Sequence, residues 1–148
     1  MEVQQDFRDL LALFNAHKVD YIIVGAHALA YHGAPRYTGD MDILVCPDLE
    51  NAKRILSALD EFGFGSLGLK VEDFTVPDKV VQLGVAPVRL DLVTSLTGVS
   101  WEDVAAGRVG GSYGNLEVYY IGKKEFILNK RALGRKKDIA DLEAIGED

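Results

Sequence analysis

Asp40 and Asp42 open a short, strongly apolar run, Met41-Asp42-Ile43-Leu44-Val45. Side chains alternate along a strand, so Asp40 and Asp42 share one face while Met41, Ile43 and Val45 take the other. Two carboxylates that close on one face repel, and their ionised forms need a compensating cation. Asp91 adds a third acid. It interrupts the apolar run Val88-Arg89-Leu90-Asp91-Leu92-Val93, where a lone carboxylate is expensive unless it is paired or holds a metal. Pairing with Arg89 and binding of a metal both account for it. If the two runs are neighbouring strands, the three acids can converge on two divalent ions roughly 3.5–4 Å apart, the arrangement for in-line phosphoryl chemistry. Oxygen-only ligands favour magnesium or manganese over zinc.

Other groups bear on the same chemistry. Val24-Gly25-Ala26-His27 reads as a strand–glycine–helix transition, where glycine permits close backbone approach and free N–H groups can meet a phosphate. Neither GxGxxG nor GxxxxGK[ST] occurs, which sets aside dinucleotide and P-loop sites. Arg36 and Thr38 precede the acids, and each is either a phosphate contact or an ordinary surface-loop residue. Residues 123–137 carry seven basic side chains against Glu125, +6 in all, within a chain whose net charge is −7. Such a segment is either a solvated helix face or a cradle for a small polyanion such as a nucleoside triphosphate. His27 and His32 do not share a helix face well, which argues against a histidine metal site. His27 is either a phosphate contact or a satisfied structural histidine. Asp138 and Asp141 read as first-turn acids favoured by a helix dipole, and Cys46 as a small core residue.

The elements that position these groups follow from periodicity. A helix is expected over about 3–17, on Val3, Phe7, Leu10, Leu11 and Phe14. A buried strand at 20–25 and a helix at 26–31 come next, the latter stopped by Gly33 and Pro35. Strand 41–45, a helix to about 60, a glycine-rich turn, and strands 79–85 and 88–93 joined at Ala86-Pro87 continue the chain. A short helix at 101–106, a hairpin of 109–113 with 116–121 and two helices split at Gly134 complete it. Early alternation and later hairpins predict an α/β (α+β) fold, a mixed sheet with helices packed on it. The 148 residues, 48% apolar and 26% charged, suit one globular domain spanning 1–148. One cysteine excludes an intrachain disulfide framework. No stretch approaches a membrane span and the N-terminus lacks a signal-peptide pattern, so a cytoplasmic protein with no membrane partner is expected.

Strand–Gly25–helix, Asp40-x-Asp42 and a later strand Asp91 resemble the polymerase-β-like nucleotidyltransferase superfamily. More narrowly, VGAHALAYHGAPRYTGDMDILV and NKRALGRKKDIADLEAI look like the small bacterial nucleotidyltransferases grouped with AbiEii-type toxins, over nearly the whole chain. The resemblance implies an NTP held through Mg2+ (or Mn2+) on Asp40 and Asp42. Asp91 would complete the metal site and help activate the attacking hydroxyl. Gly25 and Ala26 would face the triphosphate, with Arg36, Thr38, Lys130 and Lys137 as further phosphate contacts. The implied reaction moves a nucleoside monophosphate to a hydroxyl on RNA (tRNA among them), protein or a small molecule, with an antitoxin as a possible partner. Gly25-Ala26 replaces the superfamily's usual Gly-Ser or Gly-Gly, removing one hydroxyl contact. A catalytically silent nucleotide- or partner-binding module with the same fold is the alternative. A DxD glycosyltransferase is disfavoured, because 148 residues leave little room for both of its sites.

Overall fold

A computed structural model describes residues 3–34, 40–85 and 88–147. Helix α1 (Gln5–Ala16) buries the predicted stripe Phe7, Leu10, Leu11 and Phe14. Strand β1 (Tyr21–Val24) is buried throughout and runs directly into α2 (Gly25–Tyr31). Strand β2 (Asp40–Val45) starts one residue before its expected place, which puts Asp40 inside the ladder. Helix α3 (Leu49–Leu59) begins at Asp48, whose side chain accepts the Asn51 N–H. The expected glycine-rich turn is a series of tight helical turns, Asp60–Phe64, Gly65–Leu67 and Val71–Phe74. Strands β3 (Val80–Val85) and β4 (Val88–Val93) follow; the Ala86-Pro87 junction lies outside the described residues. Then come α4 (Trp101–Gly107), the hairpin β5 (Val109–Tyr113) and β6 (Leu116–Tyr120), α5 (Lys123–Leu133) and α6 (Lys136–Ala144). Gly134 divides the last two helices at φ +63°, a conformation glycine adopts without strain.

The six strands form one mixed sheet in the order β3-β4-β2-β1-β6-β5. Pairs β3–β4, β1–β2 and β5–β6 are antiparallel, whereas β2–β4 and β1–β6 are parallel. The parallel β2–β4 pair brings the two acid-bearing strands side by side. One face carries Met41, Ile43, Leu83 and Leu90, all buried in a single apolar cluster with Phe7, Leu10 and Phe14 of α1. Buried Asn51 accepts the Asp20 N–H and donates to the Asp20 and Cys46 carbonyls, tying the start of β1 to the end of β2. Cys46 itself is half-exposed rather than a core residue. Burial and a hydrogen bond to Asp48 push its thiol pKa up to about 12. No helix among the described residues is long and apolar enough to cross a membrane.

Candidate nucleotide site

The site is built on the face opposite the α1 cluster. In the β2–β4 register Asp42 is the direct partner of Asp91, and Asp40 the partner of Arg89. Alternation therefore sets Asp40, Asp42, Arg89 and Asp91 on one face of adjacent strands. Asp91 is almost fully buried, Asp40 about half-exposed. Asp42 is the strained member. Burial first, then the charges of Asp91 and Asp40, raise its carboxyl above the usual range, while Lys130 and Arg89 pull it down. A surplus of negative charge on oxygen-only donors fits a magnesium or manganese ion. As the side chains stand, no group of three or more His, Cys, Asp or Glu among the described residues surrounds an ion position.

Arg89 stands on the same face as these acids. Its Nη2 donates to Asp91 Oδ2 at 2.9 Å and its Nε to Oδ1 at 3.1 Å, a bidentate fork. The same Nε lies 4.0 Å from Asp40 Oδ2. The Arg89 pairing that alternation allows for Asp91 is therefore present.

Gly25 abuts the acids from the neighbouring strand end. Val24 pairs with Asp42, and Gly25 at φ +66° turns the chain into α2. A Cβ there would overlap the Asp42 carboxylate oxygen and stand 3.1 Å from its Cβ. The position thus requires glycine for conformation and for space. His27, two residues further, is 5% exposed and lies edge-on to Phe7 and Tyr113. Burial lowers its pKa, although a hydrogen bond with the Asp40 backbone opposes that. Its Nδ1 is buried without a partner among the described residues, so it is a structural histidine but not a fully satisfied one. Arg36 and Thr38 lie outside the described residues.

Of the basic segment, Lys130 is the buried cation. Its charge acts on Asp42, yet its Nζ lies 3.3 Å from Asp138 Oδ1 and 3.2 Å from Asp141 Oδ2. Arg135 adds hydrogen bonds from Nε, Nη2 and its backbone to Asp138. Asp138 does lie in the first turn of α6, where it also caps the Arg135 backbone N–H, whereas the first-turn placement of Asp141 is corrected. Asp138 is fully buried and ion-paired, and Asp141, in the second turn of α6, is 3% exposed beside the same lysine. Lys137 is exposed and makes no ion pair or hydrogen bond among the described residues. Lys123, Lys124, Arg131, Arg135 and Lys136 are likewise exposed, so most of the charge run is a solvated surface. Sequence reasoning passed over Gln82, the β3 partner of Asp91. It is exposed, and parity along β3 was the signal that could have found it.

The architecture is that of the nucleotidyltransferase fold. A protein from Thermotoga maritima provisionally described as a nucleotidyltransferase superposes with a TM-score of 0.61 at 16% identity, covering 94% of this chain and 89% of that one. The lincomycin-bound lincosamide antibiotic adenylyltransferase LnuA gives 0.61 at 16% identity, over 96% and 95% of the two chains. The antibiotic-resistance factor ANT(2'')-Ia gives 0.63 at 12% identity, over 95% and 80%. No protein-family model and no curated protein matches the sequence.

Proposed function

We propose that residues 1–148 form one nucleotidyltransferase-like domain that moves a nucleoside monophosphate from an NTP to a hydroxyl acceptor. The observation that carries this reading is the β2–β4 register, which sets Asp42 beside Asp91 with Asp40 on the same face. The fold shared with a lincosamide antibiotic adenylyltransferase supports it. Asp40, Asp42 and Asp91 would hold the divalent metal, which supplies neutralisation of triphosphate charge and polarisation of the α-phosphorus in a two-metal arrangement. Gly25 leaves the space in which the Asp42 carboxylate sits. Gly25, Ala26, Arg36 and Thr38 would bind phosphate oxygens. Lys130, fixed by Asp138 and Asp141, keeps a positive charge beside Asp42 and the phosphates. The acceptor oxygen forms a bond to the α-phosphorus as the bond to the pyrophosphate oxygen breaks. Pyrophosphate leaves, and the hydroxyl proton passes to Asp91, which lies next to the open edge strand β3.

The acceptor is a hydroxyl of RNA, protein or a small molecule, the last favoured by the likeness to a lincosamide antibiotic adenylyltransferase and to an antibiotic-resistance factor. An AbiEii-type grouping, an antitoxin partner and a cytoplasmic location belong to the same proposal and rest on the sequence likeness. The test is incubation of α-labelled NTPs and magnesium or manganese with total RNA and cell extract. Label should move to one acceptor class with the wild-type chain and not with Asp42→Asn. No transfer from any NTP to any fraction points instead to a silent binding module.

A further inference from the structure

The cations of the site are not equivalent. Lys130 is committed to two buried carboxylates on α6, whereas Arg89 stands on β4 among the acids themselves and makes a bidentate contact with Asp91. Each Asp91 oxygen accepts one hydrogen bond from that fork, so a cation approaching Asp91 meets the guanidinium charge and competes with it for the oxygens' lone pairs. Arg89 stands on the same face as the carboxylates of Asp40, Asp42 and Asp91, one guanidinium among three acids. The Arg89 side chain is 37% exposed while that of Asp91 is 11% exposed. The guanidinium can therefore turn outward without unpacking the sheet, and the carboxylate cannot.

We propose that Arg89 is a specificity-determining residue of the acid site: its guanidinium serves as resident counter-ion to Asp91, so that the acids take a divalent cation poorly by itself and readily together with a nucleotide. The inference rests on the nucleotidyl-transfer reading for the identity of the polyanion. A triphosphate offers Arg89 bidentate phosphate oxygens in exchange for the Asp91 fork. Released Asp91 then has oxygens for the cation. Metal and nucleotide thus favour one another's binding, and the coupling is reciprocal. Magnesium, which dehydrates reluctantly and uses substrate phosphates as ligands, suits such a site.

The test is a titration of the full chain with free Mn2+, read by loss of the aqueous Mn2+ EPR signal, for wild type, Arg89→Met, Arg89→Lys and Arg108→Met. Arg108 is exposed and lies 4.6 Å over the Tyr119 ring, so its loss controls for net charge. Arg89→Met should bind free Mn2+ about tenfold more tightly than wild type, within the usual range of coupling between sites. Arg108→Met should match wild type. Arg89→Lys should fall between, since an ammonium keeps the charge and loses the fork. An Arg89→Met affinity equal to wild type, or equal tightening in Arg108→Met, overturns the proposal. Melting curves with Mn2+ plus each NTP separate the two readings. If the wild type responds but Arg89→Met gains no affinity for free Mn2+, only the Arg89 role fails. If no protein responds to Mn2+ with or without NTP, the metal–nucleotide reading fails with it.

Discussion

Replacing Asp138 by asparagine removes a buried charge at nearly constant volume, and the structure sets both the size and the pH dependence of the effect. Asp138 is fully buried at the α5–α6 corner between Arg135 and Lys130. Burial pushes its carboxyl up, but hydrogen bonds from the Arg135 side chain and backbone and the charge of Lys130 outweigh that, holding it at about 2 against an ordinary 3.8. A carboxyl depressed in the folded state contributes stability that is complete above the unfolded pKa and vanishes as pH falls through the folded one. The difference of nearly two pH units corresponds to about 2 kcal/mol at neutral pH. Asp138→Asn should therefore lower the urea-derived unfolding free energy by about 2 kcal/mol at pH 7. The gap between variant and wild type should narrow between pH 4 and pH 2 and be nearly gone at the lower end. A gap that stays constant with pH, or a variant as stable as wild type at pH 7, refutes the ion-pair account of this corner.

Asp42 has the opposite sign. Its folded carboxyl is raised by burial and by Asp91 and Asp40, so its ionised form weakens the fold above the unfolded pKa. Asp42→Asn should melt higher than wild type at pH 7 in the absence of ligand, and the advantage should disappear below about pH 3.8; a lower melting temperature at pH 7 contradicts this. Gly25→Ala meets two obstacles, a φ of +66° and overlap with the Asp42 carboxylate. It should lose about 1–2 kcal/mol of stability and shift the Asp42 side-chain resonances, and unchanged values of both would show that the turn tolerates a Cβ.

Much of this arrangement is legible in the residues. Alternation alone sets Asp40 and Asp42 on one face, and the apolar stripe of α1 and the Gly134 corner follow from local spacing. The neighbourhood of β2 and β4 does not. These strands pair across more than forty intervening residues, and no local pattern reports that β4 rather than β3 lies beside β2. The same holds for Asp138 and Asp141. Read within their own helix they are dipole partners, but both also pair with Lys130, contributed by the preceding helix across the turn, and Asp138 with Arg135 as well. The basic run is a case of charge without direction, because composition gives +6 while only packing distinguishes inward Lys130 from exposed Lys137. Arg89 was visible as a partner for Asp91, but its bidentate fork depends on rotamers that sequence does not report.

The account turns on whether Asp40, Asp42 and Asp91 hold a metal–nucleotide complex, and a melting experiment asks this without knowledge of the acceptor. Each of the four NTPs is added to the full chain with magnesium, and nucleotide alone and magnesium alone serve as controls. Magnesium alone should bind weakly, and nucleotide with magnesium should raise the wild-type melting temperature well beyond either component, by mass action on the native state. Asp42→Asn should keep its unliganded melting temperature or exceed wild type, and lose that additional rise. A wild-type curve indifferent to all four NTP–magnesium pairs, or an Asp42→Asn variant that responds as fully as wild type, contradicts the account.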